Sequence, residues 1–365
     1  MPGLNIATPF PDDVLCHPLI IVDYSLIVAG HETEEDKLWK AATELGFWYL
    51  KNHDMDREVD GMFDVGTETL DLPLEEKMKY EQGDSGHSFG YKARGTIATD
   101  KNGTKDNVEF LNIAQDDAVS WPSVTRQTYP RTVEAHMEDI VRPFVRKSME
   151  VNHTFLRFFE RKLHLPEGGL LVRHDERKLN GGEARCIRTP PRQTSTGVGA
   201  HTDFGSLAIV HNRLGGLQVM PPDSDRWLYI KPILGHAVCN VGDALAIFSG
   251  GILRSNVHRV MPPPGAQSRL PRYSITFFTR PSDDVVLRPL KERSNLIESA
   301  VVEAPQDIYE TGSTSGEWIA RRIRRLRLKN RTGPQSWYAS MGTEHQGVRD
   351  LSSDSRYVSV ASISA

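Results

Sequence analysis

The sequence contains few cysteines, no long apolar run and no basic leader. Only three cysteines occur among the 365 residues, and none stands in a CxxC pair. A disulfide framework is therefore excluded as the basis of the fold, and the cysteine usage is typical of a reducing compartment. The absence of any stretch of about 18 apolar residues excludes a membrane-spanning helix. Because the first residues do not join a basic start to an apolar core, no secretory signal is predicted, and we expect a cytoplasmic protein.

The sequence also lacks an excess of charge of one sign and an internal repeat. Its 44 lysines and arginines nearly balance 48 aspartates and glutamates, which gives a formal net charge of −4. Neither a nucleic acid nor an anionic membrane is therefore expected as the main partner. No period of about 20–50 residues indicates a solenoid or a propeller. The sequence does not determine the oligomeric state.

Apolar periodicity divides the chain into a helical first half and a strand-rich second half. Helical spacing is found in three segments, 34–45, 56–70 and 130–164. Pro143 predicts a kink or a break in the last of them. Short strands are predicted at 18–25 and 47–50. From about residue 183, apolar segments separated by glycine and proline predict further strands, and we assign 237–249 to them as a whole.

These patterns predict one composite domain, mainly β with α, in which helices pack outside a β sandwich or barrel. Residues 1–17 form an N-terminal arm, and 18–182 form a helical cap with the first strands. Residues 183–330 form the β core with a closing C-terminal helix. Residues 331–365 form a tail whose end is expected to be disordered. The arginine-rich run 321–329 is interpreted as the solvated face of the closing helix.

A histidine and an aspartate stand two residues apart in the glycine-rich segment GVGAHTDFGSL, 197–207. If a strand ends there, alternation sends His201 and Asp203 to the same side. Such a pair alone is more often a hydrogen-bonded loop than a metal site. His258, in the strand-like segment SNVHRV, supplies a third ligand, although a lone histidine is more often a core residue. Two histidines and one carboxylate form the facial triad that binds Fe(II) and leaves coordination positions open.

The segment RYSITFF places Arg272 and Ser274 two residues apart on one predicted strand face. A guanidinium binds a carboxylate through two parallel charge-assisted hydrogen bonds, and a hydroxyl adds a third. The pair therefore fits the distal carboxylate of a dicarboxylic acid. An arginine on an edge strand that pairs with a surface acid is the alternative, and Arg269 competes for the same role.

The segments HTDFGSL, NVGDALAIFSGG, SNVHRV and RYSITFF, in this order, resemble the Fe(II)/2-oxoglutarate-dependent dioxygenases, in the branch that also holds isopenicillin N synthase. The segments IIVDYS, ELGFWYLKNHD and LPLEEKMKY resemble the helical cap of that branch. The resemblance spans roughly residues 18–330. It implies a double-stranded β-helix, a jelly roll, wrapped by helices.

By position, the resemblance makes His201, Asp203 and His258 the iron ligands and the catalytic residues, and it makes Arg272 and Ser274 the anchor of 2-oxoglutarate. The implied cofactor is Fe(II), with 2-oxoglutarate and O2 as co-substrates. Oxidative decarboxylation of 2-oxoglutarate would be coupled to hydroxylation, desaturation or cyclisation of a small organic molecule, expected in specialised metabolism. Positions that match the family but are interpreted as structural are Asn240, Gly242, Asp243 and His53.

Four residues are candidate substrate contacts. Where many relatives carry NYYPP, this chain has CIRTPP, in which Arg188 faces either the pocket or the surface. The polar, glycine-rich loop 83–107 is a candidate lid, and Tyr91 and Arg94 within it are candidate substrate contacts. Phe204, beside the predicted ligand, either lines the pocket or packs in the core.

Two other functions are compatible with the sequence. The aromatic residue missing from CIRTPP favours an iron oxidase of the same fold that does not use 2-oxoglutarate, whereas Arg272 and Ser274 oppose it. A jelly-roll binding protein that has lost turnover is the other alternative, and the presence of all three ligands opposes it.

Overall fold

A computed structural model describes residues 8–192, 196–222, 224–304 and 308–343 of the chain. The strands fall into two sheets. The larger has eight strands, which are, in chain order, β1 (Ile21–Asp23), β2 (Phe47–Lys51), β3 (Gly90–Lys92), β4 (Glu109–Ala114), β5 (Glu183–Thr189), β7 (Leu207–Asn212), β10 (Ala237–Val241) and β12 (Arg272–Thr279). Their order across the sheet is β1-β2-β10-β7-β12-β5-β4-β3. Only the β1–β2 pair among these strands is parallel, and the rest are antiparallel.

The smaller sheet has four strands, β6 (Val198–His201), β8 (Leu217–Val219), β9 (Leu228–Tyr229) and β11 (His258–Val260), in the order β6-β11-β8-β9. Side chains of the two sheets pack against each other, as Phe47 and Tyr49 of β2 do with Leu217 and Val219 of β8. The sheets therefore face each other around a common interior. This arrangement confirms the predicted mainly-β fold with a jelly-roll core.

Several helices, among them α3 (Asp56–Asp71) and α7 (Arg142–Lys162), pack on the outer face of the larger sheet. The described helices are α1 (Tyr24–Val28), α2 (Glu32–Glu44), α3 (Asp56–Asp71), α4 (Leu74–Met78), α5 (Gln115–Ser120), α6 (Arg131–Glu134), α7 (Arg142–Lys162), α8 (Asp243–Phe248), α9 (Asn295–Glu303), α10 (Ser315–Leu326) and α11 (Pro334–Tyr338). A π-helix spans Met137–Val141, and single 3-10 turns lie at Leu171–His174, Gly265–Arg269, Lys291–Arg293 and Leu328–Asn330.

The helix–sheet contact is close because α3 carries a glycine where it crosses β5. A Cβ built on Gly66 would lie 3.0 Å from the Cβ of Cys186. On α7, the ring of Phe144 packs edge-on against Phe277, with 6.4 Å between the ring centroids. The buried apolar cluster between these helices and the sheet therefore holds the outward-facing side chains of β5 and β12.

Alternation along β12 gives the sheet two chemically different faces. Ile275 and Phe277 point to the helices and join the apolar core. Arg272, Ser274 and Thr276 therefore point to the other side, into the interior between the two sheets, and all three are buried. Polar side chains inside a jelly roll mark the region where a ligand could bind.

The structure differs in detail from the predictions for one strand, one helix and one loop. The strand predicted over 18–25 is only Ile21–Asp23, because the Asp23 side chain accepts from Ser25 N and starts α1. The helix predicted over 130–164 is divided by the π-helix, and Pro143 lies in the first turn of α7, as a proline there should. The loop 83–107 is partly ordered, since β3 within it pairs with β4.

The strand predicted over 237–249 is wrong in its second half. β10 ends at Val241, Gly242 caps the next element, and α8 follows. Every residue of α8 is buried, and the five residues after Asp243, ALAIF, are all apolar. This run therefore has no period by which a strand could be told from a helix.

The closing helix is present, but the interpretation of the arginine-rich run as its solvated face is wrong for two of the arginines. Within the run interpreted as a solvated face, Arg322 and Arg327 are each only 1% exposed. Residues 331–343 are described and include α11, while the end of the tail, expected to be disordered, lies outside the described residues. None of the described helices is long and apolar enough to cross a membrane.

Candidate active site

The three predicted metal ligands converge at the open end of the smaller sheet. His201 ends β6, Asp203 follows in the next turn, and His258 begins β11 directly opposite His201. Asp203 Oδ1 lies 3.7 Å from His201 Nε2 and 3.7 Å from His258 Nε2. One ligand atom from each side chain lies within 4.8 Å of the others, so a single cation could contact all three.

The other polar atom of each of these three side chains forms a hydrogen bond within the protein. His201 Nδ1 lies 2.8 Å from the carbonyl of Gly199, and His258 Nδ1 lies 3.2 Å from that of Asn256. Because a carbonyl only accepts, both rings carry the proton on Nδ1 and leave the Nε2 lone pair free. Asp203 Oδ2 accepts from Asn240 Nδ2 at 2.6 Å, which leaves Oδ1 free. Three free donor atoms therefore point at one position.

The charge states also suit a divalent cation. Burial and the neighbouring His258 lower the pKa of His201 to about 3, so this imidazole is neutral near pH 7. Burial alone would raise the pKa of the Asp203 carboxyl, but the two histidines and the Asn240 hydrogen bond lower it. The guanidinium of Arg185 lowers it further. A neutral imidazole and an ionised carboxylate are the forms that bind metal, and two nitrogens with one oxygen suit Fe(II).

A buried arginine from the closing helix supports the loop that carries two of the ligands. Arg322 Nη2 donates to the carbonyl of Thr202 at 2.9 Å, between His201 and Asp203 in the chain, and Nη1 bonds to the Asp243 carboxylate. The Arg322 guanidinium also lies 4.1 Å from the centroid of Phe204. The sequence analysis missed this residue because a helix rich in arginine is typical of a solvated surface.

Asp243 collects contacts from four parts of the chain. Its carboxylate accepts from Thr202 at 3.1 Å, Ser255 at 2.9 Å and Thr343 at 2.9 Å, in addition to Arg322. Asp243 therefore ties the ligand loop to the turn before β11 and to the C-terminal segment. The interpretation of this residue as structural agrees with these contacts, whereas Asn240 contacts a predicted ligand directly.

Arg272 and Ser274 form the predicted pair on the interior face of β12. Arg272 Nη1 donates to Ser274 Oγ at 2.5 Å, Nε to the carbonyl of Gly215 at 2.7 Å, and Nη2 to Asn212 Oδ1 at 2.7 Å. Burial lowers the pKa of Arg272 to about 10, so the guanidinium remains charged near pH 7. Its competitor Arg269 is exposed at the end of a 3-10 turn. Of the two candidate arginines, Arg272 is therefore the one that is buried beside a hydroxyl.

Three of the predicted substrate contacts lie elsewhere, around the buried carboxylate of Glu109. This carboxylate accepts from Tyr91 Oη at 2.6 Å, from Arg94 Nη2 at 2.6 Å, from Arg188 Nη2 at 2.8 Å and from Lys77 Nζ at 2.8 Å. The prediction of Tyr91, Arg94 and Arg188 as substrate contacts is corrected to a charge cluster. The cluster links α4 and the loop before β4 to the larger sheet.

The register explains the correction for Arg188. This residue pairs with Tyr273 on β12 and with Glu109 on β4. Tyr273 lies between Arg272 and Ser274 in the strand, so Arg188 points away from the interior that those two residues face. Phe204, the fourth candidate, does remain beside the metal ligands, where it is partly buried against Arg322.

Two family models of known proteins match separate parts of this chain. The family model of the 2OG-Fe(II) oxygenase superfamily matches residues 171–281, and the model for the N-terminal part of the non-haem dioxygenases in morphine synthesis matches residues 19–134. The 2-oxoglutarate-dependent dioxygenase frbH of Dothideomycetidae sp. is 30% identical over 283 residues, 75% of this chain and 85% of the relative. Feruloyl CoA ortho-hydroxylase 2 of Arabidopsis thaliana is also 30% identical, over 74% of this chain and 72% of that relative.

Among solved structures, a full-length Neurospora crassa protein in complex with alpha-KG and thymine has a TM-score of 0.66 to this fold. It is 21% identical and covers 86% of this chain and 98% of its own, which is a likeness of fold. The two family matches lie on either side of residue 150 and together take in the cap, the triad and Arg272. The chain belongs to the 2OG-Fe(II) oxygenase superfamily and is a 2-oxoglutarate-dependent dioxygenase that uses Fe(II), 2-oxoglutarate and O2.

Proposed function

We propose that His201, Asp203 and His258 hold the Fe(II), and that Arg272 with Ser274 binds the distal carboxylate of 2-oxoglutarate. The observation that carries the proposal is the convergence of three free donor atoms within 4.8 Å, each on a side chain whose other polar atom is already bonded. Arg272 supports it independently, because a buried cation with a neighbouring hydroxyl fits a carboxylate.

The bound iron and 2-oxoglutarate supply the oxidising chemistry, in which O2 oxidises a C–H bond of the substrate and 2-oxoglutarate is converted to succinate and CO2. The residues of this chain position the reactants. The Gly199 and Asn256 carbonyls orient the two imidazoles, and Asn240 fixes the carboxylate between them. Arg272 fixes the far end of the co-substrate.

The substrate is a small organic molecule that undergoes hydroxylation, desaturation or cyclisation, in specialised metabolism. The names of the relatives support this part of the proposal, since they include a fungal 2-oxoglutarate-dependent dioxygenase and a plant feruloyl CoA hydroxylase. We also propose a cytoplasmic location, which the three free cysteines of the chain support.

Succinate formation tests the proposal. Wild-type protein with Fe(II), 2-oxoglutarate and O2 should form succinate even without its substrate, at a slow uncoupled rate. Asp203→Ala and His258→Ala should lower that rate to background while the proteins remain folded by circular dichroism. His31→Ala, an exposed histidine at the start of α2, serves as the matched control and should behave as wild type. Full activity of either ligand variant at limiting iron would refute the assignment.

The same samples separate the two alternative functions. Anaerobic addition of Fe(II) and 2-oxoglutarate should produce a weak visible charge-transfer band in the wild type. The band without succinate, whatever the substrate offered, would indicate a binding protein that has lost turnover. Oxidation of a substrate by Fe(II) and O2 without succinate would indicate an oxidase that does not use 2-oxoglutarate.

A further inference from the structure

Arg185 stands on the interior face of β5, in the same space as the metal ligands. It pairs with Thr276 of β12, which shares a face with Arg272 and Ser274. Arg185 and Asp203 influence each other electrostatically. The Arg185 side chain keeps 20% of its surface accessible, although strands flank it on both sides. This accessible surface therefore faces the hollow between the two sheets.

The guanidinium of Arg185 is fixed on all sides except one. Nε donates to Asn112 Oδ1 at 2.8 Å, and Nη2 donates to Glu183 Oε1 at 2.6 Å. The rings of Phe110 and Phe278 lie 4.4 Å and 4.9 Å from its central carbon. Nη1 makes no hydrogen bond within the described residues. A cation held in this way is pre-organised to donate from its free edge.

The charge of Arg185 is only partly neutralised at ion-pair distance. Glu183 is the one carboxylate that pairs with it among the described residues, and Glu183 also pairs with Arg280 Nη2 at 2.9 Å. Arg280 is buried, 4% exposed, and donates in addition to the carbonyl of Gly181. Two guanidiniums therefore share one carboxylate. Within the part of the chain that the structure describes, Glu183 is the one carboxylate at ion-pair distance from both guanidiniums, and Arg185 is the member of the pair that keeps accessible surface.

Apolar side chains also lie beside Arg185 on the interior face of the sheet. Ile187 occupies the next interior position on β5, and Phe278 lies across on β12. Both keep some accessible surface within the strand-covered interior. An apolar wall beside a cation with a free hydrogen-bonding edge suits a molecule that has an apolar body and one anionic group.

We propose that Arg185 binds an acidic group of the primary substrate, and that the substrate is accordingly an apolar organic acid, held by its carboxylate at the free edge of this guanidinium. This inference rests on the proposed function, because it places the acid beside the proposed iron site. The role of Arg185 is distinct from that of Arg272, which lies farther along β12, opposite Thr189, and is already assigned to 2-oxoglutarate. Asn112 and Glu183 act as positioning residues, since each bonds to one edge of the guanidinium.

Matched pairs of small probes test the charge preference. Benzoate with benzamide, and hexanoate with hexanamide, differ in charge but hardly in size. Their affinities are measured by calorimetry for the anaerobic Fe(II)–2-oxoglutarate form and for the metal-free chain. In the wild type, at least one acid should bind about tenfold to a hundredfold more tightly than its amide, because a hydrogen bond to a charged group contributes that much.

Two variants of Arg185 and one control variant test whether the preference for the acid depends on Arg185. In Arg185→Gln the ratio of acid to amide affinity should fall to about one, and Arg185→Lys should keep part of it. Arg213→Gln is the matched control, because Arg213 also stacks on a ring and pairs with an acid, but on the helix side against Phe63 and Asp60. The dissociation constant of 2-oxoglutarate should remain within about twofold of wild type in all three variants.

Several results would overturn the inference. These are a ratio near one in the wild type, no binding of either acid, a ratio that Arg185→Gln leaves unchanged, and a loss of 2-oxoglutarate affinity in that variant. The proposed function fails separately, if Fe(II) and 2-oxoglutarate give no charge-transfer band. The acid preference of the metal-free chain is then still measured, so the two failures are distinguishable.

Discussion

Arg272 is a buried cation with no carboxylate partner within the described residues. Its three hydrogen bonds go to a carbonyl, an amide oxygen and a hydroxyl, all neutral acceptors. Burying a charge without an opposite charge is costly, so a site of this kind is stabilised when an anion binds. The predicted anion is the distal carboxylate of 2-oxoglutarate.

Replacement of Arg272 should therefore weaken the binding of 2-oxoglutarate specifically. We expect Arg272→Ala to raise the 2-oxoglutarate concentration needed for half-maximal succinate formation about tenfold to a hundredfold, since a charge-assisted contact contributes about 1.5–3 kcal/mol. Arg269→Ala, three residues earlier and exposed, should leave that concentration unchanged. If the two variants exchange these results, the anchor is Arg269.

Glu109 is the buried centre of the charge cluster on the other face of the sheet. Burial alone would raise its pKa, but hydrogen bonds from Lys77, Tyr91, Arg94 and Arg188 lower it from 4.5 to about 2. A folded-state pKa below the unfolded one means that the carboxylate stabilises the fold above about pH 4.5. That stabilisation is lost as the pH falls through 4.5 towards 2.

Glu109→Gln should consequently lower the free energy of unfolding at pH 7 by about 3 kcal/mol, because it leaves buried cations without their carboxylate. The difference from wild type should shrink as the pH falls below about 4.5. Urea unfolding at pH 7 and pH 3.5 measures both effects. Glu76→Gln, which removes an exposed ion pair with Lys79, is the control and should change stability by less than about 1 kcal/mol. An equal loss at both pH values would contradict the assignment.

At the scale of elements, α10 acts on the proposed metal site through one side chain. Arg322 donates to the backbone between His201 and Asp203 and is fixed at its other edge by the carbonyl of Ser340 at 2.9 Å. The loop that carries two ligands is therefore held from the C-terminal helix. Contacts of this kind behind metal ligands typically change affinity by about 10–100-fold when removed.

Arg322→Gln is expected to lower the affinity for Co(II), used as a spectroscopic substitute for Fe(II), by about tenfold. Its visible absorption should also change in shape, because the ligand loop is less constrained. Arg322→Lys should restore part of the affinity. Arg325→Gln, on the exposed side of the same helix, is the control. Unchanged affinity and spectrum in Arg322→Gln, despite a lower melting temperature, would show a purely structural role.

The sequence predicted those elements whose pattern has a clear period. Leu38, Ala41 and Ala42 repeat with helical spacing and are buried on one face of α2. Gly46, which follows, has φ +78° and ends the helix, as expected for glycine. α8 could not be distinguished from a strand, because all of its residues are buried and its apolar run has no period.

The proposed site was predictable to the extent that its residues lie close together in sequence or in a known motif. His201 with Asp203, and Arg272 with Ser274, are such pairs. Arg185 and Arg188 are an odd number of positions apart on β5, so their side chains point to opposite faces of the sheet. Which of the two faces the interior depends on how β5 pairs with its neighbours. Sequence alone supplied no register, so the orientation of Arg188, towards the pocket or towards the surface, stayed open until the pairing with β12 was known.

At the scale of the whole molecule, the proposed metal site joins parts of the chain that are far apart in sequence. Thr202, Ser255, Arg322 and Thr343 all donate to the carboxylate of Asp243. Both sheets and the C-terminal helices thereby contribute to the position of the ligands. Because the ligands are placed only in the folded chain, a metal that binds there stabilises the whole fold.

Melting temperature should therefore report occupancy of both proposed sites. Mn(II) at about 100 times its dissociation constant should stabilise the wild type by about 2.7 kcal/mol, a rise of about 3 °C for a chain of this size. 2-Oxoglutarate should add a second increment. Asp203→Ala should lose both increments, and Arg272→Ala should lose only the second. Asp54→Ala, whose side chain is 99% exposed, should keep both. A metal-dependent rise that persists in Asp203→Ala would place the ion elsewhere in the molecule.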